Sequence, residues 1–151
     1  MRLSKICKEE VVHLKCGVSL VSQTSFSDER GLLQVGEVAS SLPFLVRRYF
    51  FVTSVPEGAI RGRHAHKKCQ QFLICLKGSV ECEIRKNGHV ENLFLDDSKY
   101  GVYFPEMTWA TQFNYSKDAI LLVLASEKYN QEDYIHSFDE FERLEKVIGH
   151  D

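Results

Sequence analysis

Two histidines that stand one residue apart, His64 and His66, are the residues of this sequence best suited to chemistry. They belong to the stretch RGRHAHKKCQQ. If this stretch is an extended strand, both imidazoles point to one face, because alternate residues of a strand share a face. Gly62 would lie on that face as well, whereas Arg61 and Arg63 would lie on the other. The two imidazoles therefore converge, and together they can hold either a metal or a proton.

The spacing around the pair resembles a metal-binding motif. In the first motif of the cupins, two histidines and a glutamate ligate a metal inside a small β-barrel. The present sequence matches the spacing of this motif at Gly58, His64, His66, Gln71 and Gly78. The glutamate is replaced by Gln71, however, and a neutral amide is a weak metal ligand.

The second cupin motif would supply one more histidine, five positions after a proline and four positions before an asparagine. The chain has Pro105 and Asn114 in the required places but carries Ala110 where the histidine belongs. A catalytic zinc or iron site normally has three protein ligands, and two histidines are too few. The sequence therefore predicts no metal.

Histidines without a metal can transfer protons. Imidazole titrates near neutrality, so it can take a proton from one carbon and return it to another. Four cations flank the pair, namely Arg61, Arg63, Lys67 and Lys68. They suit an anionic substrate such as a phosphate or a diphosphate. A purely structural role for both histidines is the alternative, and their convergence among cations favours function over it.

Short strands must position these residues. In SVECEIRKNGHVENLFL, the apolar residues Val80, Cys82 and Ile84 alternate with charged ones, which is typical of a half-buried strand. The pair Asn87-Gly88 then offers the positive φ angles of a tight hairpin. Turn-forming residues recur at short intervals along the chain, and this favours an all-β protein. Further strands are predicted at residues 47–52, 71–76, 101–104 and 119–125.

One amphipathic helix is predicted at the C-terminal end of the chain. Within DYIHSFDEFERLEKVI, apolar residues recur every three or four positions with charged residues between them. These apolar residues are Ile135, Phe138, Phe141, Leu144 and Ile148. Many short strands followed by one helix predict a sandwich or jelly roll whose mouth holds a small ligand.

The composition indicates a single domain over residues 1–151. A chain of 151 residues, 44% of them hydrophobic, is long enough to bury one sizeable core. Its formal charge of −2 argues against a nucleic acid or an anionic membrane as partner. No apolar run approaches the roughly 20 residues of a membrane helix. Five cysteines without a C-x-x-C pair, and no signal peptide, favour the cytoplasm, with Cys75 and Cys82 in the core.

Longer segments of the chain resemble one family. The sequence is similar to the WxcM-like sugar 3,4-ketoisomerases from about residue 25 to residue 141, in the segments FSDERGLL, LPFLVRRYFFVTSVPEGAIRGRHAHKKCQQFLICLKGS, GVYFPEMTW and LLVLASEKYNQEDYIHSFDEF. The resemblance implies a cupin jelly roll, a homodimer with exchanged N-terminal strands, and no metal or other cofactor. It also implies conversion of dTDP-4-keto-6-deoxyglucose to a dTDP-3-keto-6-deoxyhexose, on the way to amino sugars of surface polysaccharides.

The resemblance implies roles for single residues as well. It makes His64 the base at C3 of the sugar, and His66 a second acid/base or orienting group in the same pocket. Arg61 would bind the diphosphate or the sugar, and Arg30 matches a family turn near the nucleotide. Apart from the resemblance, Tyr129 and Tyr134 are open to a place in the pocket or at an interface, and packing is favoured for both. The further candidates for substrate binding are Lys67, Gln71, Trp109 and Tyr49.

Two residues depart from the pattern of the family. Its members often carry tyrosine where this chain has Phe50, and histidine or arginine where it has Ala110. These departures leave open a non-catalytic cupin that binds a nucleotide sugar. A 3,5-epimerase is a further alternative, but such an enzyme pairs its histidine with an aspartate and a tyrosine, and no carboxylate accompanies His64 and His66 in the sequence.

Overall fold

The computed structural model describes residues 1–5 and 11–149, and strands dominate it. In chain order the strands are β1 (Val11–His13), β2 (Ser19–Ser22), β3 (Thr24–Asp28), β4 (Gly31–Val35), β5 (Arg48–Val52), β6 (Arg61–His66), β7 (Gln71–Lys77), β8 (Val80–Lys86), β9 (His89–Leu95), β10 (Tyr100–Phe104), β11 (Trp109–Phe113), β12 (Ile120–Ala125) and β13 (Tyr134–Ile135). Short 3-10 helices lie at Leu3–Lys5 and Gln131–Asp133, and helix α1 covers Phe138–Ile148. Within the described ranges, no helix has the length and apolar character needed to cross a membrane.

All the described strands except β3 and β4 lie in two large sheets, and neighbouring strands within each sheet pair antiparallel. One sheet has the order β1-β2-β10-β7-β12-β5, and the other has the order β13-β6-β11-β8-β9. Apolar side chains from both sheets share one buried core, among them Leu20, Leu73, Cys82 and Leu93. Two sheets that bury such a core between them form a sandwich. The predicted all-β jelly roll with one C-terminal helix is therefore confirmed.

The hairpin predicted at Asn87-Gly88 forms as expected. Strand β8 pairs with β9 so that Lys86 lies opposite His89. Both turn residues have positive φ angles, 52° at Asn87 and 73° at Gly88, as a two-residue type I′ turn requires. The other predicted strands also form, each within one residue of its predicted bounds.

Helix α1 begins later than the apolar spacing predicts. Its first turn is capped by Ser137, whose hydroxyl accepts a hydrogen bond from the backbone N–H of Glu140. Ile135 lies before this cap, in β13, where it pairs with Ala65 of β6. Ile135 is buried in the same cluster as Phe141 of the helix, so its apolar character continues the helical pattern. An apolar residue at a helical spacing can therefore belong to a neighbouring strand.

The cysteines within the described residues are buried. Cys75 and Cys82 lie in the core, as predicted, and Cys16 and Cys69 are buried as well. Burial raises the pKa of the Cys75 thiol to about 11 and that of the Cys82 thiol to about 12. Both thiols are therefore protonated at neutral pH and behave as small core side chains. Cys7 lies outside the described residues.

The hairpin of β3 and β4 belongs to neither of the two large sheets. Three of its large apolar side chains are mostly exposed, with exposed fractions of 60% for Phe26, 61% for Leu32 and 59% for Leu33. Strand β5 ends the order of its sheet and also exposes apolar side chains, those of Tyr49 and Phe51. Both surfaces are unusual for an isolated chain.

Candidate active site

The strand that carries the histidines has a bulge directly before them. Gly62 and Arg63 both have positive φ angles, 79° and 59°, and the register between β6 and β11 shifts at the same place. The sequence predicts an unbroken strand with Arg61 facing away from His64. This prediction is wrong, because Arg61 and His64 line the same cavity. An extra residue in one strand changes which face the following side chains share.

Gly62 is the residue that permits the bulge. A Cβ atom at this position would lie 2.6 Å from the carbonyl oxygen of Ala110 and 2.6 Å from Oε1 of Gln112. The positive φ angle also favours glycine, since it has no Cβ to clash with its own backbone. Any side chain here would push β11 away from β6 and deform the cavity between the sheets.

The cavity lies between the two sheets and has a polar and an apolar wall. Its polar lining consists of Arg61, His64, His66, Gln71, Thr108, Gln112 and Tyr115. Its apolar lining consists of Phe50, Val52, Leu73, Ala110, Leu121 and Val123, together with the backbone of Gly62. A few polar groups that converge on an apolar wall are typical of a small-molecule site.

His64 is half-buried, and its ring lies near two other imidazoles. The ring centroids are 5.1 Å apart for His64 and His66, and 6.0 Å apart for His64 and His136. The ring of His64 hydrogen-bonds to the backbone of Gly62. Burial, and secondarily the charge of His136, lower the pKa of His64 below its ordinary value. His64 is therefore neutral at neutral pH, the state that a general base needs.

His66 is buried more deeply, with only 5% of its surface exposed. Its Nδ1 lies 3.3 Å from Oδ2 of Asp133, and its Nε2 lies 3.4 Å from the side-chain amide nitrogen of Gln71. Burial first and the neighbouring His64 second lower the pKa of His66 to about 4, although Asp133 acts in the opposite direction. The expectation that no carboxylate accompanies the histidine pair is thus wrong, because Asp133 reaches it from a distant part of the chain.

Tyr134 lies against both histidines. The pairing of β13 with β6 puts Tyr134 opposite His66. Its ring centroid is 4.4 Å from that of His66 and 5.0 Å from that of His64. The same ring stacks on His136, with centroids 5.5 Å apart. The sequence favours packing for Tyr134, but its place next to the pair makes it a site residue. The signal that points to it is the tripeptide DYI within the segment LLVLASEKYNQEDYIHSFDEF, which resembles the family.

Arg48 is a further site residue that the sequence did not predict. It shares a face of β5 with Phe50 and Val52, which line the cavity. Its Nε is buried and has no hydrogen-bond partner among the described residues. The guanidinium carbon lies 5.5 Å from the ring centroid of Phe50 and 5.7 Å from that of Tyr129. A buried N–H without a partner is costly, so Arg48 is suited to receive an anion.

Trp109, one of the candidates for substrate binding, is not among the residues that line the cavity. It is 7% exposed, and its ring lies 5.2 Å from that of Phe138 and 5.7 Å from that of Phe141, centroid to centroid. Its neighbour Ala110 lines the cavity. Because successive residues of a strand point to opposite faces, Trp109 points away from the cavity. Its role is to attach helix α1 to the sheet.

The other candidates for substrate binding divide between the cavity and the surface. Gln71 lines the cavity, as expected. Tyr49 lies on the opposite face of β5 from Phe50 and is 68% exposed, and Lys67 is exposed after the end of β6. Arg30 stands at the turn of the β3–β4 hairpin, where it forms an exposed ion pair with Asp28. In the single chain these three candidates are outside the cavity.

Two places in the described structure are relevant to metal binding. The first is the cupin site at His64 and His66, where Ala110 lies opposite His64 and offers no ligand in place of the missing histidine. In a different cluster, His66, Cys69 and Asp133 place one potential ligand atom each within 4.8 Å of one another. The backbone N–H of Cys69 already donates to the Asp133 carboxylate, and the Cys69 thiol donates to a backbone carbonyl. That the protein binds no metal at either place remains a prediction from the sequence.

Known proteins similar to this chain are sugar isomerases. The family model described as FdtA, WxcM-like, C-terminal matches residues 16–146. The TDP-4-oxo-6-deoxy-alpha-D-glucose-3,4-oxoisomerase of Aneurinibacillus thermoaerophilus is 33% identical over 116 residues, which cover 77% of this chain and 84% of that protein. The crystal structure of QdtA, a sugar 3,4-ketoisomerase from Thermoanaerobacterium thermosaccharolyticum in complex with TDP, has a TM-score of 0.85 at 32% identity and covers 89% of this chain and 98% of that one. A 3,4-ketoisomerase from Helicobacter canadensis has a TM-score of 0.82 at 31% identity, with 85% and 97% covered.

Proposed function

Because the chain belongs to the FdtA, WxcM-like family, we propose that it is a nucleotide-sugar 3,4-ketoisomerase that converts dTDP-4-keto-6-deoxyglucose to a dTDP-3-keto-6-deoxyhexose. The observation that carries the proposal is the convergence of two neutral imidazoles, those of His64 and His66, in one small cavity. The relative from Aneurinibacillus is named for an isomerisation between the same two sugar positions. The product would enter the synthesis of amino-deoxysugars for surface polysaccharides.

The proposed reaction moves one proton between carbons and one between oxygens. His64 accepts the proton of C3, which is acidic because C4 carries the ketone. The electrons of that C–H bond form a C3–C4 double bond, and the C4 oxygen becomes an oxyanion, which nearby donors such as Arg61 stabilise. A proton then reaches C4, the C3 hydroxyl loses its proton to become the ketone, and the C4 oxygen gains one. Atoms and electrons balance within the sugar, so the step requires no metal or other cofactor.

Two arginines are suited to the anionic part of the substrate. Arg61 lines the cavity close to His64. Arg48 lies on the cavity side of β5, and its Nε has no hydrogen-bond partner in the part of the chain that the structure describes. Guanidinium groups bind phosphate oxygens through paired hydrogen bonds. We assign the diphosphate and the sugar oxygens to these two side chains.

The proposal includes a homodimer that exchanges N-terminal strands. The β3–β4 hairpin exposes large apolar side chains, and β5 ends its sheet with apolar side chains exposed. An unpaired edge strand and an exposed apolar hairpin are both protected when a partner pairs with them.

The surroundings of the enzyme are part of the same proposal. The family match spans residues 16–146, which supports one cupin domain over residues 1–151. The buried thiols support a reducing compartment, and we assign the protein to the cytoplasm. A net charge of −2 supports a small nucleotide sugar rather than a nucleic acid or a membrane as its partner.

A non-catalytic protein that binds a nucleotide sugar is the second candidate. Both departures from the family pattern, Phe50 and Ala110, line the cavity itself. Neither side chain can exchange a proton, so the site lacks a phenol at one position and a cation at the other. Tyr134, in contact with both histidines, supplies another phenol next to the pair and favours the catalytic proposal.

The 3,5-epimerase alternative requires a new argument. The sequence disfavours it because no carboxylate stands near the histidines, but Asp133 and Tyr134 both lie next to His66. Geometry therefore no longer separates the two reactions. The relatives that share about a third of their residues with this chain are ketoisomerases, and on this ground we retain the ketoisomerase.

Proton NMR of dTDP-4-keto-6-deoxyglucose, incubated with the protein in deuterated water, tests the proposal. We expect the signals of a 3-keto sugar to appear and the hydrogen at C3 to exchange with deuterium. Exchange at C5 would identify an epimerase instead. Binding of the nucleotide sugar without any exchange would identify the non-catalytic candidate.

A further inference from the structure

We propose that Asp133 is a positioning residue for His66, whose carboxylate holds the imidazole proton on Nδ1 and keeps Nε2 unprotonated. The placement of this proton stands on the geometry of Asp133, His66 and Gln71. Its kinetic consequence rests on the proposed function. The carboxylate comes from a segment 67 residues further along the chain than His66, and no local pattern connects the two residues.

The Asp133 carboxylate is held in place by the backbone. Its Oδ1 accepts a hydrogen bond of 2.8 Å from the backbone N–H of Lys68, and its Oδ2 accepts one of 3.2 Å from the backbone N–H of Cys69. The backbone carbonyl of Asp133 accepts a further bond, of 2.9 Å, from the N–H of Lys67. These bonds use both oxygens of the carboxylate and fix the orientation of the side chain. The side chain is 10% exposed, so it has little freedom to turn away.

The two ring nitrogens of His66 have different surroundings. Nδ1 is buried, lies 3.3 Å from Oδ2 of Asp133, and makes no hydrogen bond to any other described residue, so the carboxylate is the polar group that it faces. Nε2 lies 3.4 Å from the amide nitrogen of Gln71, a donor that also lines the cavity. A neutral imidazole has one N–H and one lone pair. A lone pair on Nδ1 would face the negative carboxylate, whereas a lone pair on Nε2 would face a donor. Both contacts therefore place the proton on Nδ1.

This tautomer gives His66 a task that His64 does not perform. In the proposed reaction the C3 hydroxyl must lose a proton and the C4 oxygen must gain one. A buried neutral imidazole with its lone pair on Nε2 can accept the hydroxyl proton and return it to the other oxygen, while His64 moves the carbon proton. Asp133 stabilises the imidazolium that forms in between, as a buried carboxylate does for the histidine of a serine protease triad.

The variant Asp133→Asn separates this role from simple packing. Asparagine has nearly the same size, but its single carbonyl oxygen cannot accept from the backbone donors and from His66 together, so its NH₂ group would face Nδ1. We expect the His66 proton to move to Nε2. Nitrogen NMR of protein with ¹⁵N-labelled histidine, recorded without substrate near neutral pH, reports which ring nitrogen is protonated. A spectrum of His66→Asn identifies the signals, and Asp139→Asn, at an exposed carboxylate in the first turn of α1, is the matched control.

Turnover completes the test. Asp133→Asn should lower kcat by roughly 10-fold or more, within the range of general acid–base effects, with KM changed by less than about twofold because ground-state binding is kept. Asp133→Glu retains a carboxylate and should keep the Nδ1 proton and part of the activity. A wild-type His66 protonated on Nε2 would overturn the inference at any level of activity. So would an Asp133→Asn protein that loses turnover with the Nδ1 proton in place. If the wild type does not isomerise the sugar but the proton moves in Asp133→Asn, the positioning role stands and the proposed function fails.

Discussion

Replacement of His64 by asparagine removes the proposed base and little else. The His64 ring hydrogen-bonds to the backbone of Gly62, and the amide of asparagine can make a similar bond. His64 is only half-buried, so the smaller side chain leaves a space that opens to the cavity rather than a sealed void. We therefore expect His64→Asn to fold and to bind the nucleotide sugar as the wild type does.

The expected loss follows from what an amide cannot do. Asparagine has no nitrogen that accepts a proton near neutral pH, and general acid–base catalysis contributes on the order of 10²- to 10⁴-fold. Such a factor corresponds to roughly 3–5 kcal/mol of transition-state free energy. His66→Asn should also lower turnover, but the fall should be smaller if His66 only orients the substrate, and similar if it carries the oxygen proton.

The pH profile gives an independent measure of the same base. Burial lowers the pKa of His64 below its ordinary value of about 6.5, so the imidazole remains unprotonated at neutral pH. Because a protonated base cannot accept, kcat/KM should be level around neutrality and fall as the pH decreases through this lowered pKa. An acid limb centred above about 6.5 would contradict the desolvated position of His64.

Proton NMR in deuterated water reads both the product and the exchange at C3. His89→Asn is the matched control, because His89 is exposed at the start of β9, after the hairpin turn. It should leave the rate unchanged. A His64→Asn protein that exchanges the C3 hydrogen at the wild-type rate would refute His64 as the base and would favour the nucleotide-sugar-binding candidate.

Four further outcomes are expected. Purified protein should contain no stoichiometric transition metal by elemental analysis and keep its activity in EDTA, because Gln71 and Ala110 replace two ligands; activity lost with one metal per chain would contradict this. Sedimentation at micromolar concentration should show a homodimer, and a stable monomer would argue against exchanged strands. Phe50→Tyr adds a phenol to the cavity wall and should raise kcat, on the order of 10-fold if a missing proton donor limits the rate; an unchanged kcat would show that Tyr134 already fills this role. Gly62→Ala should lower the melting temperature and the activity together, since its Cβ would lie 2.6 Å from a backbone oxygen, whereas full activity would mean that the bulge adapts.

The parts of the fold that depend on neighbouring residues were predictable. The Asn87-Gly88 turn follows from the φ angles that these two residues tolerate, and the alternation in β8 follows from its two faces. The convergence of His64 and His66 was predictable for the same reason, since it needs only two residues of local strand after the bulge. Local chemistry decides each of these features.

The features that the sequence did not predict depend on contacts between distant segments. The bulge at Gly62 arises where β6 meets β11, so the alternation within β6 cannot reveal that Arg61 faces the cavity. Asp133 and Tyr134 reach the histidines only because β13 pairs with β6, and the spacing of Ile135 suggested a helix there instead. Tertiary pairing overrode the local pattern in both cases.

The two histidines of the pair differ in a way that assigns their roles. Both are neutral at neutral pH. His66 is the more deeply buried of the two, and its pKa is lowered to about 4. The pKa of His64 is also lowered by burial, but its side chain is only half-buried. His64, which is only half-buried, can therefore exchange the proton that it removes from carbon with water. His66, enclosed by Asp133, Gln71 and Tyr134, is better suited to take a proton from one sugar oxygen and return it to the other without exchange with water. We therefore propose that His64 transfers the carbon proton and His66 the oxygen proton, and in deuterated water the sugar carbon should gain deuterium with the wild type and His66→Asn but not with His64→Asn.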